Sequence, residues 1–199
     1  MQPAIVLLEF DSVAVGILAG DAMVKRAPLK TLHTGTVQPG RYLVLAGGDV
    51  GDLEEALAAA KEVGSSRLRD EVFLPDVHSQ VVDAITGTRQ RRTGSALGVF
   101  ETKTVPAVIR AADRAVKGTD ITVLEVHLAD GLGGKGYALF AGDVADVEAA
   151  IQLCTESLVD LKQLVAEVVI PQIHPEMAEN LGSHPEFGYR ISGRRRHSD

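Results

Sequence analysis

The chain has 199 residues, of which 45% are hydrophobic and 24% are charged, a composition typical of a folded protein rather than of a disordered or collagen-like one. Acidic residues outnumber basic ones by 27 to 20, and the net charge of -7 argues against general binding to nucleic acid. A single cysteine forms no intramolecular disulfide, and we see neither a basic secretion signal nor an apolar run of membrane-spanning length. We therefore expect a cytoplasmic protein that has neither nucleic acid nor a membrane as a partner.

The first half of the chain is predicted to form a strand, a helix, two strands, a helix and a last strand. An apolar run over residues 5–9 predicts the first strand, and Ser12 is a typical N-cap for a helix that continues to Lys25. Asp49, with Asp52 three residues later, predicts a variant capping box at the second helix. The other predicted elements are strands over 29–36, 42–46 and 71–74, a helix over 51–63, and a short helical segment after Pro75.

The second half of the chain repeats this order. Residues 9–25 align without a gap with residues 101–117, and both halves carry a Gly-Asp-Val helix start and a strand that ends in Pro-x-x-His. The predicted strands are 97–101, 121–129, 137–141 and 167–170, and the first predicted helix runs from a Thr104 cap to Lys117. The second helix is predicted over 145–158, with Asp143 as its N-cap and Asp146 completing a variant capping box. Since the similarity persists over the whole unit, the chain is a duplication.

The duplication predicts two domains of the α+β class. We place the first domain at residues 1–86, a polar and basic linker at 87–95, the second domain at 96–181, and a basic C-terminal tail at 182–199. Each domain has the order β-α-β-β-α-β of the ferredoxin-like fold. The tail carries Arg194, Arg195 and Arg196, which fit either a solvated run or a contact with an acidic partner.

Several of these segments, in this order and twice over, resemble the shell proteins of bacterial microcompartments. The segments are Ala-Leu-Gly-Val-Phe-Glu-Thr-Lys at 96–103, the Asp-x-x-x-Lys helix ends at Lys25 and Lys117, the two Gly-Asp-Val helix starts, and the two Pro-x-x-His strand ends. The chain is similar to the tandem-domain kind that trimerises, and its element order is unpermuted. It departs from the family at Asp76 and Gln172, where many members carry an Arg after the proline.

The resemblance implies a non-enzymatic structural protein that forms a homotrimer, a pseudohexameric tile of a shell in the cytoplasm. Its implied partners are hexameric tiles, pentameric vertices and, as a further class, encapsulated enzymes. Lys25 and Lys117 fall where the family packs a lysine against the neighbouring tile. The alternative for each lysine is a solvated side chain favoured by the helix dipole.

The resemblance also implies that the loops between the second and third strands line a central pore for metabolites. The pore residues would be Gln38, Pro39 and Gly40 from one loop and Gly131, Leu132, Gly133 and Gly134 from the other. Arg41 and Lys135 follow these loops and would favour small anions or polar metabolites. The alternative is a pair of ordinary hairpin loops punctuated by glycine and proline.

No catalytic, metal or cofactor residue is predicted. The glycine-rich segment at 131–136 joins two strands, whereas a nucleotide cradle precedes a helix. Cys154 falls within a predicted helix, so an iron–sulfur cluster at the pore is not expected, and His78 and His174, being related by the repeat, favour a shared structural role. The competing function is a trimeric ferredoxin-like regulatory protein that binds a ligand, because fold alone does not separate the two.

Overall fold

The computed structural model describes residues 4–88, residue 90 and residues 94–182. The start of the first predicted domain, most of the linker's basic run and the predicted basic tail from residue 183 onward, with Arg194 to Arg196, lie outside the described residues.

The first domain is a four-stranded antiparallel sheet with two helices packed together on one face. Its elements are β1 (Ala4–Phe10), α1 (Val13–Arg26), β2 (Thr31–Val37), β3 (Arg41–Gly48), α2 (Val50–Gly64), a 3₁₀ turn (Ser65–Arg67), β4 (Leu68–Leu74) and α3 (Ser79–Ile85). The strands are ordered β2-β3-β1-β4. Even-numbered residues of β1, namely Val6, Leu8 and Phe10, form a core with residues of α1 and α2.

The second domain repeats this architecture. Its elements are β5 (Ala96–Thr102), α4 (Val105–Gly118), β6 (Thr122–Leu128), β7 (Gly136–Gly142), α5 (Val144–Glu156), a 3₁₀ turn (Leu161–Gln163), β8 (Leu164–Ile170) and α6 (Pro175–Gly182). The strands are ordered β6-β7-β5-β8, so the predicted ferredoxin-like order is confirmed in both domains. The last strands begin three residues earlier than predicted. In β4 the polar residues Arg69 and Asp70 interrupt the apolar pattern, whereas β8 begins with the apolar residues Leu164, Val165 and Ala166.

The helix starts differ in how they are capped. Ser12 caps α1 as predicted, since its hydroxyl accepts a hydrogen bond from the Val15 N–H. Asp49 and Asp143 occupy the N-cap positions of α2 and α5, as predicted. Their side chains make no hydrogen bond to the helix N–H groups, so the prediction of capping boxes is wrong. The Asp49 carboxylate instead pairs with Lys30, 2.5 Å away.

The first helix of each domain packs closely on its sheet, and the glycine that allows this contact lies on the helix in one domain and on the sheet in the other. In the first domain Gly16 of α1 faces Tyr42 of β3, and a Cβ at Gly16 would lie 2.8 Å from the Tyr42 Cβ. In the second domain Val108 of α4 faces Gly136 of β7, where a Cβ would lie 2.6 Å from Val108 Cγ1. The large and small residues have exchanged places between the repeats, which keeps the local packing dense.

Candidate assembly interface and pore loops

Helix α4 lies between the two domains and is buried on both sides. One side packs on its own sheet and on α5, and the other packs on β4 and β1 of the first domain. Ile109 of α4 is fully buried and belongs to a single apolar cluster that also contains Leu7, Leu43 and Val72 of the first domain. The junction between the domains is therefore a continuous hydrophobic core.

A buried carboxylate ties the first domain to the start of this helix. The Glu9 side chain is 0% exposed, and its Oε1 lies 2.7 Å from Arg41 Nη1 and 3.4 Å from Arg69 Nε. Its Oε2 accepts a 2.8 Å hydrogen bond from the Val105 N–H, so Glu9 caps α4 from the other domain. Burial raises the pKa of Glu9, while the Val105 N–H and the two arginines act in the opposite direction. Glu9 therefore has a structural role at the junction between the domains.

A second polar cluster surrounds Asp70 of β4. Asp70 accepts hydrogen bonds from the Thr104 hydroxyl and from the Gln163 amide, the latter at 2.9 Å, and lies 4.0 Å from the Arg110 guanidinium. Arg110 also donates to the Glu71 carbonyl oxygen. Thr104 therefore uses its hydroxyl to join the domains rather than to cap its own helix.

Lys25 and Lys117 occupy equivalent helix positions but different surroundings. Lys25 is 73% exposed and pairs with Asp21 of its own helix. Lys117 is 36% exposed, pairs with Asp113 at 2.7 Å, and also donates to the Asp76 carbonyl oxygen of the first domain. The structure therefore places Lys117 at the rim of the domain junction and leaves Lys25 facing solvent.

The surfaces that form this junction occur a second time, without a partner in the chain. Ile17 and Val24 of α1 are 54% and 47% exposed, whereas the equivalent Ile109 and Val116 of α4 are buried. Val168 of β8 is 48% exposed, whereas the equivalent Val72 of β4 is buried. Apolar side chains at matching positions are thus covered on β4 and α4, where the two domains meet, and bare on α1 and β8.

A cleft of about 390 Å³ lies beside the bare strand β8. It is formed by the sheet face that carries Leu97, Val99 and Leu139, and by Met177 and Leu181 of α6. The equivalent face of the first domain, with Ile5 and Leu7, is buried because α4 packs on it. The cleft therefore lies on the face that corresponds to the one covered by α4 in the first domain.

The two predicted pore loops, although far apart in sequence, lie side by side in the structure. Arg41, directly after the first loop, donates a 2.8 Å hydrogen bond to the Gly134 carbonyl oxygen in the second. Gln38, Pro39, Gly40, Gly131 and Gly133 are exposed, Leu132 is half-buried, and Gly134 is buried against Arg41. Gly131, Gly133 and Gly134 have positive φ angles of 74°, 62° and 85°, a conformation that glycine adopts without strain.

The two cations behind these loops are already paired. Arg41 is held by Glu9, and Lys135 binds the Glu101 carboxylate. Each pair carries no net charge, and Asp130 adds an exposed carboxylate to the second loop. Because both cations are neutralised by a carboxylate, they no longer supply the positive charge on which the expected preference of the pore for anions depended.

His127 connects the second loop to β6 and β7. Its Nε2 lies 2.8 Å from the Asp130 carbonyl oxygen, its Nδ1 lies 3.6 Å from Glu125 Oε1, and its ring stacks on Tyr137 at 5.1 Å. The interaction with Glu125 raises the pKa of His127, burial lowers it, and the Asp130 carbonyl raises it again, with a net increase. The ring therefore ties the start of the loop to the strand.

We predict that Glu125→Gln lowers the pKa of His127 toward its ordinary value of 6.5, because the neutral amide no longer favours the imidazolium. The measurement is an NMR titration of the His127 ring protons. Tyr137→Phe is the control: it removes the hydroxyl that donates to Glu125 Oε1 at 2.7 Å but keeps the stacked ring and the negative charge, so the pKa should stay raised. An unchanged pKa in the Gln variant would contradict the assignment.

The remaining candidate residues have structural environments. His78 and His174 each accept a backbone N–H two residues later, from Gln80 and Glu176, so both cap the short helix that follows. Cys154 is buried in α5, where burial raises the pKa of its thiol. Within residues 4–88, 90 and 94–182, no group of three or more His, Cys, Asp or Glu side chains is arranged to hold a metal ion, and no helix has the length and apolarity to cross a membrane.

Sequence reasoning missed the residues that build the interface. Ile17, Asp70 and Arg110 were not singled out, because each is unremarkable within its own helix or strand. A position-by-position comparison of the two repeats contains the signal: Asp70 corresponds to Ala166, and Arg110 to Leu18. Such exchanges between polar and apolar residues mark surfaces whose partners differ.

Comparison with known proteins identifies the family. The BMC domain matches twice, at residues 4–77 and 96–173. The bacterial microcompartment shell protein PduT of Citrobacter freundii is 42% identical over 177 residues, which cover 89% of this chain and 96% of PduT. The shell protein EutM of Salmonella typhimurium is 33% identical over 84 residues, 42% of this chain and 85% of EutM.

A crystal structure of a microcompartment protein from Desulfitobacterium hafniense superposes with a TM-score of 0.78 at 35% identity, covering 90% of this chain and 99% of that one. Both halves of the chain thus match one domain family, in the order and with the sheet topology described above. The chain belongs to the BMC-domain family of bacterial microcompartment shell proteins and carries the domain twice in tandem.

Proposed function

We propose that the chain is a structural protein of a microcompartment shell and that three copies close into a pseudohexameric tile with a central pore. The observation that carries this proposal is the exposed apolar face of α1 together with the empty cleft beside β8. These surfaces are equivalent to α4 and to the first-domain face that α4 covers, so α1 of one copy fits the cleft of the next. A head-to-tail contact of this kind forms a ring when its rotation closes, and a ring of six domains contains three copies of a two-domain chain.

The shell role follows from the relatives, which are named shell proteins, and the chain is proposed to have no enzymatic activity. The alternative of a ligand-regulated trimer has no support among these relatives. We retain the division into domains at 1–86 and 96–181 with a linker at 87–95 and a tail at 182–199. Hexameric tiles, pentameric vertices and encapsulated enzymes are the proposed partners.

The test of the trimer is the absolute mass of the purified protein by light scattering. A chain of 21.1 kDa predicts a trimer of about 63 kDa. A mass of 21.1 kDa at every concentration would overturn the ring, because the cleft and α1 would then have no partner.

Lys25 and Lys117 are proposed to contact neighbouring tiles. We predict that the double change Lys25→Ala and Lys117→Ala keeps the trimer mass but prevents the growth of two-dimensional sheets, since it removes the two lysines, one exposed and one half-buried, that are proposed to contact the neighbouring tile. Electron microscopy of concentrated protein measures sheet formation. Lys61→Ala, on α2, removes one exposed charge elsewhere and should leave the sheets intact. Sheets that form normally in the double variant would end the edge assignment.

The hairpin loops are proposed to line the pore, with three copies of each loop around its axis. We predict that Gly133→Trp reduces the passage of small solutes through assembled tiles while the trimer mass stays the same, because Gly133 is exposed and its side chain direction is open. Gly133→Ala is the matched control, since it introduces the same strain at a φ of 62° without the bulk. Equal passage through both variants would place the pore elsewhere.

A further inference from the structure

The two junctions that a ring would contain have opposite chemistry. Within the chain, the contact between β4 and α4 has a polar centre: Asp70 faces Thr104, Gln163 and Arg110. The strand pairings give the equivalent positions, because Asp70 pairs with Glu9 in the first sheet and Ala166 pairs with Glu101 in the second. Ala166 is therefore the equivalent of Asp70 in the second domain, and Val165 is the equivalent of Arg69.

The matching helix surface has changed in step. Leu18 of α1 occupies the position of Arg110 in α4, and it is 49% exposed beside Ile17. On β8, Val165 and Val168 are exposed on either side of Ala166. At these positions both bare surfaces present alkyl side chains where the internal junction presents a carboxylate and a guanidinium.

From this exchange we infer that the chain itself specifies the order of domains in its ring, and that β8 accepts helix α1 of a second copy and rejects α4. The inference rests on the proposed trimer and names the partner of its open surface. An arginine in the place of Leu18 would be buried against Ala166 and Val165 without a carboxylate partner, and Asp70 would be buried against Leu18 without a guanidinium partner. Each wrong pairing thus leaves one buried charge without its partner. Domains therefore alternate around the ring, and like domains do not pair.

The location of the charges also explains which contact is made first. The polar cluster around Asp70 joins segments of one chain, where the contact forms during folding and its polar groups are satisfied without a second copy. The apolar surfaces on α1 and β8 are left for association between copies, which is driven by the burial of apolar area. The association should accordingly depend little on salt.

The decisive experiment transplants the internal pair to the open junction. Leu18→Arg alone should raise the dissociation constant of the trimer at least about a hundredfold, as expected for an unpaired buried charge. Adding Ala166→Asp to the same chain should recover at least about tenfold, because the two introduced side chains repeat the Asp70–Arg110 geometry. Ala58→Arg is the matched control for charge, since Ala58 is exposed on α2, whose counterpart α5 packs within its own domain.

Light scattering over a dilution series measures the dissociation constant, and circular dichroism verifies that each variant is folded, as expected for substitutions at exposed positions. A trimeric wild-type chain with the loss and recovery described supports the inference. A wild-type trimer that Leu18→Arg leaves unchanged, or a double variant as weak as the single one, overturns the inference and leaves the trimer standing. A monomeric wild-type chain overturns the proposed function itself.

Discussion

Replacing Ile17 by Glu should convert the protein from a trimer of about 63 kDa into a folded monomer of 21.1 kDa. Ile17 is 54% exposed in the single chain, but the equivalent Ile109 is fully buried against the first domain. Burying an isoleucine side chain contributes about 1.5–3 kcal/mol, and placing a carboxylate there adds a desolvation cost. Since the same junction occurs three times in a ring, the loss affects every contact that closes it.

The controls separate association from folding. Ala58→Glu adds the same charge to an exposed position of α2 and should leave the trimer intact. Ile109→Glu places the same change at the internal junction and should unfold the chain, because that contact belongs to its core. Light scattering gives the mass, and thermal unfolding followed by circular dichroism reports the fold. If Ile17→Glu kept the mass of a trimer, helix α1 would not be the surface that joins the copies.

Much of the fold could be predicted because its signals are local. Apolar runs and the Ser12 cap are short-range patterns, and they predicted the order of strands and helices in both domains. The start of β4 at Leu68 was missed because Arg69 and Asp70 break the apolar run. Asp70 bonds Thr104 and Gln163 of the second domain, and Arg69 pairs with Glu9, which caps α4. A pattern within one strand does not contain that information.

The site was less predictable because its contacts join residues far apart in sequence. Arg41 was interpreted as a cation of the pore loop, yet it is held by Glu9 on the neighbouring strand. Thr104 was interpreted as an ordinary helix cap, yet the cap of α4 is the Glu9 carboxylate of the other domain. In both cases the sequence motif was recognised correctly, but the side chain binds a partner from another part of the fold, which the motif does not reveal.

Removing the Glu9 carboxylate should cost about 3–5 kcal/mol of unfolding free energy, the range expected when one member of a buried ion pair is deleted. Glu9→Ala leaves the Arg41 guanidinium, whose side chain is only 13% exposed, without its carboxylate. It also leaves the Val105 N–H at the start of α4 without an acceptor. Urea unfolding monitored by circular dichroism measures the loss.

The second repeat supplies the matched comparison. Glu101 is the equivalent acid, but it is 27% exposed and pairs with Lys135 at the surface of the chain. In a monomeric background such as Ile17→Glu, Glu101→Ala should therefore cost no more than about 1 kcal/mol. Equal losses from the two alanine variants would show that burial between the domains is not what makes Glu9 important.

Glu9 should also change how the free energy of unfolding depends on pH. Burial raises the pKa of Glu9 above its ordinary value of 4.5, so the folded chain keeps this proton to higher pH than the unfolded chain does. The free energy of unfolding then falls, relative to a Glu9→Gln variant, as the pH rises from 4.5 through the raised pKa, and it becomes constant above it. Urea unfolding of both proteins at a series of pH values measures this difference. A difference that instead grows with pH would mean that the two arginines and the Val105 N–H outweigh burial, so that Glu9 is held ionised in the fold.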